Sequence, residues 1–179
     1  MLVEGIKSRP VYTTLAPRPG RLHLLVHDAA GAPAVEALLA AADAAFVERT
    51  RRFPATAAGG EDAAIAGLAG TLADARMGTQ VYVAGTEHLI ARVVEVGLAA
   101  GLELGAIMAE HRGSHERRVQ CVHCKTVLDH VTTQPVRCTG CGLTLLVRDH
   151  YSRRIGAFQG VCIDAEEPGV VPETEALFA

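Results

Sequence analysis

A chain of 179 residues with 49% apolar and 21% charged content can bury one core or two small ones, and is too evenly mixed for a fibrous or disordered protein. Its net charge of −3 argues against a globally basic nucleic-acid binder or a polybasic membrane-surface protein. With no Trp, three Tyr and four Phe, the apolar share rests on Ala, Leu and Val, which favours helices packed on a sheet over an aromatic binding groove.

In chain order, Met1-Leu2-Val3-Glu4-Gly5 lacks the basic start and apolar run of a signal peptide, and no later apolar run reaches membrane-spanning length; a cytoplasmic protein that neither spans nor coats a membrane is expected. Pro10, Pro17, Pro19 and Gly20 make residues 1–20 an irregular arm, with one extended segment near Val11-Tyr12-Thr13. Leu22-His23-Leu24-Leu25-Val26-His27 reads as a buried strand leaving into the turn Asp28-Ala29-Ala30-Gly31, with Pro33 at the first position of a helix over 33–49. His23 and His27 share one strand face, with no acid or cysteine at matching spacing. A second helix is expected over 61–72, a strand over 80–84, and a helix over 87–100 with Thr86 as N-cap and Gly101 just past its end. Ala106-Ile107-Met108-Ala109 is a further buried strand. Strands alternating with helices predict a small parallel, Rossmann-like sheet over 21–115.

The turn Asp28 to Pro33 stands where a nucleotide-binding fold holds phosphate, but it has one glycine and an acid whose charge repels a pyrophosphate. The polar stretch His111 to Glu116 marks the domain boundary. Beyond it, Cys121-Val122-His123-Cys124 is followed after thirteen residues by Cys138-Thr139-Gly140-Cys141. Two such knuckles turn four sulfurs towards one point, so Cys121, Cys124, Cys138 and Cys141 are expected to bind a metal within a zinc-ribbon-like β module over 116–165. Four thiolates leave no open position, which makes the site structural if it holds Zn; a rubredoxin-like Fe site has the same ligands and would carry an electron. His123 and His130 are close enough in sequence to substitute for a ligand or to hydrogen-bond a thiolate. Cys162 stands apart as a buried or idle thiol.

Charge is unevenly placed. Seven Lys or Arg against two acids lie between Arg117 and Arg154, while five acids and no base follow from Ile155 onwards. Residues 166–179 therefore read as an acidic tail, loosely held around Val170-Val171-Pro172, that folds back, meets a partner or stays solvated. Arg148, Asp149, His150, Tyr151, Arg153 and Arg154 form the densest polar cluster, suited to an anion, a flavin phosphate or an acidic protein surface, or else to a solvated strand end paired with that tail. No aromatic platform accompanies it, so nucleic-acid readout is not expected.

Two stretches resemble the NAD-binding module of ferredoxin and flavodoxin reductases: Arg21-Leu22-His23-Leu24-Leu25-Val26 with Gly31-Ala32-Pro33, and Val81-Tyr82-Val83-Ala84-Gly85-Thr86. That resemblance implies the fold, with Gly31 and Gly85 as degenerate remnants of cofactor-binding positions. Across both halves, Gln120-Cys121-Val122-His123-Cys124, Cys138-Thr139-Gly140-Cys141, Val147 to Arg154, Gly156-Ala157-Phe158 and Asp164-Ala165-Glu166 make the chain similar to the small A subunit of bacterial dimethylamine monooxygenase. The resemblance implies an auxiliary, non-catalytic subunit of an NADPH-dependent hetero-oligomer that converts dimethylamine to methylamine and formaldehyde, with flavin, haem and iron–sulfur groups in the oxygenase and reductase subunits. A stand-alone ribbon binding protein or nucleic acid through Arg148, Arg153 and Arg154, and a small NAD(P)-dependent reductase, are the alternatives.

Overall fold

The computed structural model describes residues 8–178, so residues 1–7 of the expected arm and Ala179 of the expected tail lie outside the described residues. The chain divides into two compact units, residues 12–113 on the one hand, and residues 8–11 with 114–178 on the other.

The first unit runs β1 (Leu22–His27), α1 (Ala32–Ala40), α2 (Ala44–Glu48), β2 (Thr50–Pro54), α3 (Gly60–Ala73), β3 (Thr79–Gly85), α4 (Glu87–Ala99), a 3-10 turn at Leu104–Ala106, and β4 (Ile107–His111). All strand pairs are parallel, in the order β2-β1-β3-β4. This doubly wound order has its reversal between β1 and β3. Leu24, Leu25 and Val26 are all fully buried because helices cover both faces, which is why β1 reads as a continuous apolar run. Register assigns the faces. Leu24 beside Val81 and Val26 beside Val83 pack with Leu68 and Leu72 of α3 and Leu89 and Val93 of α4; Leu25 beside Tyr82 packs with Val35 and Leu38 of α1 and Phe46 of α2.

Two expectations are corrected in this unit, and one strand is added. The helix expected over 33–49 is two helices, because Asp43 turns extended (φ −79°, ψ 168°) and its carboxylate accepts the Phe46 N–H at 2.7 Å, capping a new start. Pro33 accordingly occupies the second helical position, after Ala32. The strand β2 is unannounced by any apolar run: Thr-Arg-Arg-Phe-Pro is an edge strand whose arginines face solvent, and its proline ends it. The helices expected over 61–72 and 87–100 are present as 60–73 and 87–99, and Gly101 follows α4 with φ +87°.

The second unit contains β5 (Arg117–Cys121), β6 (Val127–Val131), β7 (Thr133–Gln134), β8 (Val136–Arg137), β9 (Thr144–Ser152), β10 (Ala157–Cys162) and β11 (Glu175–Ala176). Five of these form a sheet of order β6-β5-β10-β9-β8, and β11 pairs with β7. The core is Val119, Leu128, Val131, Leu145, Val147, Tyr151, Phe158 and Phe178. β9 runs on to Ser152, beyond the strand expected to end at Val147, so four of the six residues of the polar cluster are sheet. The end of the tail is held too. Phe178 is buried, and the Arg117 guanidinium lies 4.1 Å from the centroids of both the Phe158 and Phe178 rings, a cation–π contact the acidic composition of the segment conceals. Among the described residues, no helix is long and apolar enough to cross a membrane.

Gly31 sits where α1 starts against the end of β3, and a Cβ on it would lie 1.9 Å from the Ala84 carbonyl oxygen. Backbone cannot yield as a side-chain tip can. Gly31→Ala is expected to lower the stability of the first unit by about 2–3 kcal/mol, read from urea unfolding, as overpacking does.

Candidate metal centre

The two Cys-x-x-Cys segments build the same turn twice. In the first, the Cys121 N–H donates to the Thr126 carbonyl (2.9 Å) and the Lys125 N–H to the Cys121 carbonyl (2.9 Å); in the second, Cys138 N–H donates to Leu143 (2.8 Å) and Gly142 N–H to Cys138 (3.0 Å). Each turn requires a left-handed residue after its second cysteine. Gly142 meets this easily at φ +76°, whereas Lys125 holds φ +66° and donates its ammonium to the Val122 carbonyl at 2.7 Å. β5 and β6 carry the first knuckle, and its Val122 N–H donates to the Gly160 carbonyl of β10 at 3.0 Å. β8 and β9 carry the second.

The result is convergence. All four Sγ atoms lie within 4.8 Å of one another, with Cys121 to Cys141 at 3.8 Å and Cys124 to Cys138 at 3.5 Å. A tetrahedral ion with metal–sulfur bonds of about 2.3 Å has sulfur–sulfur edges of about 3.8 Å, so the cluster can hold a metal ion. Cys121 and Cys138 are buried and Cys124 and Cys141 half-buried. Without a cation to share, the sulfurs oppose one another. Thr126 Oγ1, 3.2 Å from Cys124 Sγ, and then the Thr126 N–H favour the Cys124 thiolate and bring that thiol down to about 6. The Leu143 N–H favours the Cys141 thiolate as well, but burial and the three neighbouring sulfurs prevail and push Cys141 up to about 12. A divalent ion offsets that opposition by coordinating all four as thiolates. Gly140 is part of the same construction, since a Cβ there would stand 2.1 Å from Thr126 Oγ1 and 3.1 Å from Cys124 Sγ.

Two family models match the chain. Residues 118–161, holding all four cysteines, match "Dimethylamine monooxygenase subunit DmmA-like, C-terminal domain", and residues 45–107 match its N-terminal domain. Together they cover more than half of the chain. The chain belongs to the DmmA-like family. It is similar to the "Heme-dependent oxidative N-demethylase delta subunit" of Ectopseudomonas mendocina (strain ymp), at 39% identity over 107 residues; the alignment takes in 59% of this chain and 61%, under two thirds, of that relative. No solved structure matches the chain.

Within the DmmA-like C-terminal domain, the remaining expected residues separate. His123 is exposed in the first knuckle; His130 directs Nδ1 to Glu116 Oε2 at 2.8 Å; neither joins the sulfur cluster. Cys162 is half-buried, its Sγ–H donating to Asp164 Oδ1 at 3.1 Å, and that hydrogen bond, followed by burial, pushes its thiol up. The cluster at 148–154 does not act as one patch. Tyr151 is buried, edge-on to Phe158 at 5.1 Å, and Asp149 is bound by Arg9 and by Arg117 at 2.9 Å, while Arg148, His150, Arg153 and Arg154 are exposed. The arm contributes more than Arg9, since the Ser8 N–H donates to the Asp149 carbonyl and the Tyr151 N–H to Ser8, binding it beside β9.

At the reversal between β1 and β3, Gly31 and Gly85 surround a carboxylate. Asp28 Oδ1 accepts the Gly31 N–H and Oδ2 the Thr86 N–H, each at 2.8 Å, and a Cβ on Gly85 would lie 2.4 Å from Oδ2. Those N–H groups sit at the starts of α1 and α4, the positions that bind phosphate in nucleotide-binding sheets. Here an internal anion uses them. Sequence reading counted Asp28 as a repulsive neighbour; of its two partners, Gly31 is local, but Thr86, fifty-eight residues away, could not be read locally. Thr126, Gly140 and Arg117 were likewise missed. Gly140 alone carried a local signal, as the glycine between two ligands.

Cys138→Ser is expected to abolish metal retention and to cost the second unit more than about 3 kcal/mol, a fraction of the roughly 10–16 kcal/mol that a structural zinc supplies. The reading is metal content together with a melt in which the transition of residues 12–113 stays in place. The carboxyl of Asp149 is held below its usual range by Arg9 first and Arg117 second. Its contribution is therefore present above the unfolded carboxylate value of about 3.9 and lost as pH falls through the lower folded value. Asp149→Asn should flatten the acid limb of stability against pH and lower neutral-pH stability by about 1–2 kcal/mol.

Proposed function

We propose that this chain is an auxiliary subunit of a heteromeric oxidative N-demethylase that converts dimethylamine to methylamine and formaldehyde with electrons from NADPH. The observation that carries the reading is the match of both units to the two DmmA-like domains, beside a 39% identical relative whose name places it as a subunit of a demethylase. Flavin, haem and iron–sulfur groups belong, in this reading, to the oxygenase and reductase subunits, and the assembly is cytoplasmic.

The chain's own chemistry supports a non-catalytic share of the work. Four thiolates complete a tetrahedral sphere, so no position is open for an amine or for oxygen. The crevice at the sheet reversal, the ordinary place for a dinucleotide in such a fold, has its N–H groups engaged by Asp28. What remains is a held surface. The metal, zinc in this proposal, fixes the ends of β5, β6, β8 and β9, and Arg148, Arg153 and Arg154 present cations to a neighbouring subunit.

Reconstitution tests the role. Amine-dependent NADPH oxidation by the purified partner subunits should fall at least about tenfold when this chain is omitted and return when it is added back; full turnover without it overturns the proposal. Metal analysis with a visible spectrum of the purified chain decides the ion. One zinc per chain and no colour supports the scaffold; a coloured Fe(Cys)₄ would make the chain an electron carrier.

A further inference from the structure

In the unit 12–113, most arginines are engaged. Arg52, Arg92 and Arg112 meet carboxylates, and Arg18 and Arg49 donate to backbone carbonyls. Arg21, Arg51 and Arg76 have no such partner among the described residues, and all three line one cavity of about 320 Å³. The cavity lies where the strands begin, bordered by Leu22 and Thr79, at the opposite end of the sheet from Asp28.

Their convergence has a structural cause. Consecutive arginines on β2 point to opposite faces: Arg52, in register with Leu25, meets Glu36 of α1, whereas Arg51, in register with Leu24, lies on the α3 side without a carboxylate. Arg21 is preset. Its N–H donates to the Gly78 carbonyl at 2.7 Å, and its stem lies along Gly78, where a Cβ would stand 3.0 Å from Arg21 Cγ and 3.3 Å from Cδ. Asp74 is the one acid in the lining, so three guanidinium groups exceed it by two charges in a chain whose total is −3. Met77, 92% exposed, stands in the same loop and also borders an adjoining cavity of about 550 Å³.

Three like charges around an opening repel one another and are relieved by carboxylates, which guanidinium groups grip in pairs of hydrogen bonds. Arginine and methionine are also residue types enriched in the centres of protein interfaces. We infer that this end of the sheet docks a carboxylate-bearing surface of a partner subunit, with acids entering between Arg21, Arg51 and Arg76 and Met77 seated in an apolar recess beside them. The inference rests on the subunit reading above and adds a second, separate surface to it.

The test uses the full chain and the purified partner subunits, with association measured at two salt concentrations. The wild type should bind, more weakly at high salt. Arg21→Glu/Arg51→Glu/Arg76→Glu should weaken binding at least about tenfold with unchanged metal content and circular dichroism, and Met77→Ala should weaken it without changing the salt dependence. Failure of the wild type to bind would sink the subunit reading and this surface with it; equal binding by wild type and the charge-reversed variant would sink this surface alone. Two further outcomes overturn the assignment. One is stabilisation of the isolated chain by inorganic pyrophosphate that the charge reversal abolishes while assembly is unaffected, which would give the cavity to a small anion. The other is self-association of the isolated chain through Met77, which would give the edge to a second copy.

Discussion

Four sulfurs brought within 4.8 Å of one another cannot all ionise side by side, and this constraint governs the second unit. Every local feature of the knuckles follows from it. Two identical hydrogen-bonded turns aim the thiols inward, Gly140 leaves room for Thr126, and Thr126 supports the first thiolate. The opposed Cys124 and Cys141 thiols mark the same conflict, which a divalent cation resolves. A sheet stapled at such a site needs little core of its own, and this one has eight apolar side chains beside the sulfurs.

The first unit meets a similar electrostatic problem with a side chain of its own. A doubly wound sheet leaves the starts of two helices pointing at one crevice, and their N–H groups require an anion. Asp28 provides it from within the chain. The same arrangement explains why glycines that resembled cofactor-binding positions are present without a glycine-rich loop. Gly31 is needed because α1 approaches the Ala84 carbonyl, and Gly85 because the Asp28 carboxylate fills the space a side chain would take.

Charge follows the same division between internal and outward use. Asp149, placed in the middle of a basic segment, belongs to Arg9 and Arg117, and Arg117 in turn lies over two phenylalanine rings that fix the end of the tail. The arginines that stay outward are fewer than the composition suggests: Arg137, Arg148, Arg153 and Arg154 on one unit, and Arg21, Arg51 and Arg76 on the other. Most charged groups thus hold the chain's own shape, and the remaining arginines face away from it.

By itself the sequence determined what depends on short spacing. The Cys-x-x-Cys pairs define a four-sulfur site because two residues between ligands fix a turn, and the helices over 60–73 and 87–99 declare themselves because a buried helical face repeats every three or four residues. Tertiary structure decided whatever needed a distant partner. β2 carries no apolar run because it is an edge strand, and the helix break at Asp43 depends on one carboxylate choosing a cap. Asp28 reaches an N–H fifty-eight residues on, and Arg9 reaches a carboxylate one hundred and forty residues on. Periodicity records which face of an element is buried; it holds no record of which charge will stand opposite another once strands are laid side by side.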